Sequence, residues 1–207
     1  MNTEDAVGRA LADAAHSAFA RGLTHGSTGN ISVRAGDRVL MTPTGSSLGT
    51  VTADGLSVVD LSGRHLDGPA PTKESFLHLA MLRARPDAGA VVHTHSTHAA
   101  AVSCVADLDP ADVLPPYTAY YAMRVGRMPL VPYFPPGDRR LGDVAEKLAP
   151  AHRALLLANH GPIVAGASVA AAMDAAEEIE ETARLFFLLR GQDTRPLSAD
   201  QVRALQH

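Results

Sequence analysis

His93-Thr94-His95 lies within the run Ala90-Val91-Val92-His93-Thr94-His95-Ser96, and His160 follows the apolar run Leu155-Leu156-Leu157-Ala158. Side chains alternate faces along a strand, so histidines two apart can present both imidazoles to one ion. A third histidine at the end of another strand completes a triad. Three nitrogen ligands with a fourth position open are the donor set of a catalytic zinc centre, whereas structural sites close with four ligands, commonly thiolates. The chain has one cysteine, Cys104, so a thiolate cage is excluded. His98 leaves open an alternative set of His93, His95 and His98, although a helix starting at Ser96 would turn it toward substrate or into packing. His78, four residues after Glu74 on the same helix face, reads as a core histidine. His16, His25, His65, His152 and His207 show no partner pattern.

Two glycine-bearing loops add a second signal. Gly26-Ser27-Thr28-Gly29-Asn30 and Thr42-Pro43-Thr44-Gly45-Ser46-Ser47 combine close backbone approach with hydroxyls and free N–H groups, which suits a phosphate. The same residue types also build ordinary turns. Neither loop is a P-loop or a dinucleotide fingerprint. Lys73 and Glu74 fall in the first turn of a helix, where the helix dipole alone favours a carboxylate. Beside a metal with an open position, Glu74 becomes a fourth ligand or a general acid/base.

The elements that must position these groups alternate along the chain. Ala6 to Arg21 carries apolar residues at helical spacing and ends at Gly22. Asn30 to Val33 and Val39 to Thr42 read as strands around Ala35-Gly36-Asp37, and Leu56 to Asp60 as another strand. Ser62 to Pro71 is a polar hairpin or loop. Thr72 to Ala84 is the best-marked helix, with Thr72 as N-cap and Phe76, Leu77, Ala80, Met81 and Ala84 on its apolar face. Strand 89–95, helix 97–104, a proline-rich crossing 110–136, helix 138–149, strands 153–158 and 162–165, and the long helix 168–190 follow. Helices therefore cover a mixed sheet. On the last helix Glu177, Glu178, Glu180 and Glu181 read as a solvated or intersubunit face, with Arg184 available for i,i+4 pairing.

Composition sets the frame. The 207 residues are 46% apolar and 19% charged, enough for one core and one domain spanning 1–207. A net charge of -4 with no basic cluster excludes nucleic acid as the expected partner. Met1 to Asp5 is polar and acidic, unlike a signal peptide. No apolar run reaches the ~18 residues of a membrane span. The expectation is a soluble cytoplasmic protein, in keeping with the lone cysteine.

Gly29-Asn30-Ile31-Ser32, Thr42-Pro43-Thr44-Gly45, the Glu74 helix ending in Arg83-Ala84-Arg85-Pro86, Ala90 to Ser96 and Asn159-His160-Gly161 occur in an order that resembles the class II aldolase/adducin family, typified by fuculose-phosphate aldolase and ribulose-phosphate 4-epimerase. The match runs from about Ala6 to Leu189. It implies a three-layer α/β/α domain with a mixed, mostly antiparallel central sheet and a divalent metal, Zn2+ or alternatively Mn2+ or Co2+, held by His93, His95 and His160. It also implies Glu74 as an acid/base that can touch the metal, and a phosphate held by Gly29, Asn30, Thr44, Gly45 and Thr72. Tyr120 matches a tyrosine that the family uses as an acid, with Tyr117 and Tyr121 as alternatives. The assembly implied is a homotetramer with the site near subunit boundaries.

Thr72-Lys73-Glu74 departs from the aldolases, which carry a serine directly before the glutamate. With Pro135-Pro136-Gly137-Asp138 and Leu157 to Pro162, the pattern is similar to that of 3-oxo-tetronate 4-phosphate decarboxylases. The substrate of such an enzyme is a β-keto acid, so Lys73 could pair with its carboxylate where serine could not. An aldolase or epimerase on a related sugar phosphate, and an adducin-like structural head, are the other readings.

Overall fold

The computed structural model describes residues 3–205. In chain order the elements are α1 (Thr3–Ala20), β1 (Asn30–Ala35), β2 (Arg38–Met41), β3 (Ser57–Asp60), β4 (His65–Asp67), α2 (Ser75–Ala84), β5 (Ala90–His93), α3 (Thr97–Val102), α4 (Ala119–Arg124), β6 (Leu130–Val131), α5 (Arg140–Leu148), β7 (Ala154–Leu157), β8 (Gly161–Gly166), α6 (Val169–Leu188) and α7 (Ala199–Ala204). The strands form one eight-stranded sheet in the order β4-β3-β2-β1-β5-β8-β7-β6. Every neighbouring pair is antiparallel except β6–β7.

Alternation along the strands divides the interior into two layers. Ile31, Val33, Ala90, Val92, Leu156 and Val164 pack with α1, α3, α4 and α6. Val39, Met41, Val91, Leu155, Leu157 and Ile163 pack with α2 and α5 on the opposite face. The result is the expected α/β/α arrangement. Odd positions of β5 and even positions of β1 share the α2 face, so His93, Asn30 and Ser32 all belong to the layer headed by Glu74. Among the described residues, no helix is long and apolar enough to cross a membrane.

Several element boundaries differ from expectation, for physical reasons. Helix α2 begins at Ser75 rather than Thr72. Pro71 bridges Pro43, and the Thr72 N–H donates to the Thr42 carbonyl at 3.3 Å, so this stretch is held in strand-like pairing until the Ser75 N–H turns back to the Thr72 carbonyl. Thr72 is therefore not the N-cap; Glu74 occupies that position. Strand β5 ends at His93, not 95. The proline-rich crossing contains the six-residue α4, capped by Thr118, and the two-residue β6. The polar stretch 62–71 holds the exposed edge strand β4, and α7 follows α6. Elements this short do not repeat often enough for periodicity to reveal them.

Candidate metal centre and cleft

His93, the last residue of β5, is completely buried. Its Nδ1 lies 2.9 Å from the Pro162 carbonyl on β8, which can only accept, so Nδ1 carries the proton and Nε2 offers a lone pair. A backbone carbonyl behind a metal-ligating histidine fixes the ring and its tautomer in this way. His95 lies past the strand end, in the turn between β5 and α3, so strand alternation accounts for His93 but not for His95.

His160 comes from the tight β7–β8 connection. Asn159 adopts a left-handed φ of 55°, and the Asn159 and His160 N–H groups donate to the Ser103 carbonyl and Oγ, each at 3.1 Å. Gly161 follows because a Cβ there would collide with the Thr94 carbonyl. Gly29 is required on the other side: its φ is 74°, and a Cβ would fall 2.9 Å from the His93 carbonyl.

The three Nε2 atoms converge at 3.1, 3.2 and 3.1 Å. A tetrahedral ion bound at ~2.0–2.1 Å keeps its nitrogens about 3.3 Å apart, so the triangle is close to the size such an ion needs. Glu74 closes it from above, with Oε2 at 3.5 Å from His93 Nε2 and Oε1 at 3.6 Å from His160 Nε2. Burial and then the neighbouring His93 push the His95 imidazole down to about 3 and that of His160 down to about 4, so both rings are neutral donors near neutral pH. Burial tends to raise Glu74, but His93, the Asn30 amide and His160 outweigh it and hold the carboxyl near 2. One carboxylate facing three converging imidazole nitrogens is a donor set suited to a divalent cation.

A cleft of about 420 Å3 opens on this group, lined by His95, His160 and Glu74 together with Gly29, Asn30, Thr44, Gly45, Thr72 and Lys73. His95 and His160, expected at the metal, thus share one cavity with the phosphate loops and the acid/base position, with the buried His93 behind them. Tyr120 does not line it: the side chain is 61% exposed on α4, with the Arg124 guanidinium 5.1 Å over its ring. Tyr121 is buried and does not line the cleft. His98 is not an alternative ligand. Its Nδ1 lies 2.7 Å from Glu180 Oε1, turned toward α6.

Glu180, which reads from sequence as part of a solvated or intersubunit face, accepts the His98 and Ala99 N–H groups at 3.0 and 2.9 Å and so caps α3 directly after the His95 turn. The other acids of α6 pair with Arg21 (Glu177), Arg124 (Glu178) and Arg184 (Glu181, at i,i+3 rather than i,i+4). Pro162, Ser103 and Glu180 are the supports that sequence reasoning missed. None carries a local signal, because each acts across a long sequence separation.

Comparison with known proteins agrees with this geometry. The model of the class II aldolase and adducin N-terminal domain matches residues 9–187. A 3-oxo-tetronate 4-phosphate decarboxylase from Haemophilus influenzae is 47% identical over 190 residues, spanning 91% of this chain and 90% of that protein. An L-fuculose phosphate aldolase from the same organism is 33% identical, spanning 89% of this chain and 84% of the aldolase. Among solved structures, YgbL from Klebsiella pneumoniae superimposes with a TM-score of 0.96 at 43% identity, each chain covered completely.

Proposed function

The chain belongs to the class II aldolase and adducin family, and from that premise we propose that it is a metal-dependent carboxy-lyase converting a 3-oxo-tetronate 4-phosphate to dihydroxyacetone phosphate and CO2. The observation that carries this reading is Lys73, an exposed ammonium lining the same cleft as the histidine triad and Glu74. The 47% identity to a relative named for that activity, against 33% to an aldolase, supports it.

In this reading His93, His95 and His160 hold the ion, with Glu74 within reach of it. Imidazole donors suit zinc, and they suit manganese or cobalt as well. When bound, the ion supplies Lewis-acid stabilisation of the negative charge that collects on the substrate's C2 and C3 oxygens as CO2 leaves. The protein's own groups do the rest. Gly29, Asn30, Thr44, Gly45 and Thr72 receive the phosphate at one end of the cleft. Lys73 pairs with the C1 carboxylate and orients the C1–C2 bond. That bond breaks, its electron pair passes into the C2–C3 enediolate, and C2 takes up a proton that the Glu74 carboxylate accepts from water and relays.

Tyr120 projects from the exposed face of α4, away from the cleft of its own chain. Its proposed role as an acid therefore requires a neighbouring copy, in keeping with a homotetramer whose sites lie near subunit boundaries. A cytoplasmic enzyme completes the reading. Incubation with 3-oxo-tetronate 4-phosphates of both configurations tests it: one should yield CO2 and dihydroxyacetone phosphate in equal amounts. Cleavage of fuculose 1-phosphate with no CO2 from either keto acid would overturn the decarboxylase in favour of an aldolase.

A further inference from the structure

Behind the cleft, three buried side chains extend from Glu74 into the α2 layer. Glu74 Oε2 lies 2.8 Å from Asn30 Nδ2, Asn30 Oδ1 contacts His78 Nε2, and His78 Nδ1 lies 2.8 Å from Ser32 Oγ. Asn30, Ser32 and His78 are all buried, the last two completely. The phosphate loops and the metal ligands do not account for His78 or Ser32, although full burial of a histidine demands partners for both ring nitrogens.

The direction of every hydrogen bond follows from the first. A carboxylate only accepts, so the Asn30 NH2 group must face Glu74 and its carbonyl must face His78. That carbonyl also only accepts, so His78 must carry its proton on Nε2. Burial pushes the imidazole down to about 3, so the ring is neutral and Nδ1 is left as an acceptor. The Ser32 hydroxyl must then donate to Nδ1. We propose that Ser32 and His78 are positioning residues: with Asn30 they form a one-way donor chain, Ser32 to His78 to Asn30 to Glu74, that fixes the amide of Asn30 and through it the orientation of the Glu74 carboxylate.

Each member sits where its element dictates. Asn30 and Ser32 are two apart on β1 and project to one face, and His78 is one helical turn beyond Glu74 on α2. The α2 residue thus reaches back through β1 to hold the head of its own helix. A flipped Asn30 amide would set a carbonyl oxygen against the carboxylate, so the chain excludes that state. One proton of Asn30 Nδ2 is committed to Glu74, and the second remains for a phosphate in the cleft.

This inference rests on the role proposed for Glu74, and its test separates the two. Nitrogen-15 NMR of the wild-type protein should show His78 as the neutral Nε2–H tautomer, its resonances identified by their loss in His78→Gln. An Nδ1–H tautomer or a charged ring would overturn the chain, whatever the enzyme's substrate proves to be. In kinetics on the keto-acid phosphate, His78→Leu should lower kcat by about 10- to 100-fold, the usual cost of losing an outer partner of a site residue, with KM and bound metal little changed. His78→Gln, which retains a donor toward Asn30, should recover most of the loss. Ser32→Ala should fold like the wild type and keep the Nε2–H tautomer, which the Asn30 carbonyl dictates, with a smaller fall in kcat. A folded His78→Leu protein with wild-type kcat, or a folded Ser32→Ala protein with wild-type kcat, would refute the proposal. A wild-type protein inactive on every keto acid but showing the Nε2–H tautomer would refute the proposed function and leave the chain standing.

Discussion

Lys73→Ser is the substitution that most sharply divides decarboxylation from aldol chemistry at this site. Among the described residues Lys73 has no ion-pair partner, so its removal orphans no other charge. The loss is then confined to the contact with the substrate carboxylate. A charge-assisted hydrogen bond contributes about 1.5–3 kcal/mol, whereas an ion pair open to water contributes only about 0–1 kcal/mol. Lys73 is exposed but lines a cleft that substrate would fill, which points to the lower half of the first range. Converted at 1.4 kcal/mol per decade, kcat/KM on the keto-acid phosphate should fall roughly 10- to 100-fold, nearer the smaller figure. Metal content should be unchanged. Lys73→Arg should restore only part, since the guanidinium fork differs in reach and geometry. Steady-state kinetics of the three proteins on the keto-acid phosphate, beside a substrate without a carboxylate such as fuculose 1-phosphate, provide the assay. Equal losses on both substrates, or no loss on the acid, would refute the reasoning and favour an aldolase.

His93→Ala, His95→Ala and His160→Ala should each strip the divalent ion from a protein that remains folded by circular dichroism, while His98→Ala keeps it; full metal in His160→Ala by elemental analysis would contradict the ligand set. Glu74→Gln keeps the shape of the side chain but not its charge or its capacity to transfer a proton, so the protein should retain metal and lose roughly 10²-fold or more in kcat; unchanged turnover would reduce Glu74 to a helix-start residue. The metal-free protein should lose stability in acid. His78 and His95 are held near 3 and His160 near 4, below the 6.5 of an unfolded histidine, so between those values the unfolded chain binds protons that the folded chain refuses. The stabilising contribution is therefore full above about pH 6.5 and drains away as pH falls; the completely buried His78 alone accounts for about 1.4 kcal/mol per pH unit in that window. Urea midpoints of the metal-free protein that do not move between pH 7.5 and 5 would contradict this.

Much of the site was legible because its chemistry is local in sequence. His93 and His95 announce themselves by spacing, His160 by its place after an apolar strand, and Lys73-Glu74 by the helix they precede. The pairing of Asn30 with Glu74 was not legible, since it depends on register: β1 lies antiparallel to β5 with Asn30 opposite His93, and only the folded sheet brings them together. The same holds for Glu180, whose helix-facing spacing looks solvated until α3 is packed against it. Helix α4 and strand β6 were hidden by the prolines around them, and the start of α2 was displaced by strand-like pairing of Pro71 and Thr72 that no helix propensity records.

The most direct measurement of the central claim follows the carbon that loses CO2. Metal-loaded protein is incubated with a 3-oxo-tetronate 4-phosphate in D2O, and released CO2 and the product's proton spectrum are recorded together. Decarboxylation through an enediolate that takes its proton from solvent by way of Glu74 predicts one CO2 per turnover and one deuterium at the hydroxymethyl carbon of dihydroxyacetone phosphate, with the Glu74→Gln protein slow in both. Consumption of the substrate with release of an aldehyde and no CO2, or CO2 release that proceeds equally without bound metal, would contradict it.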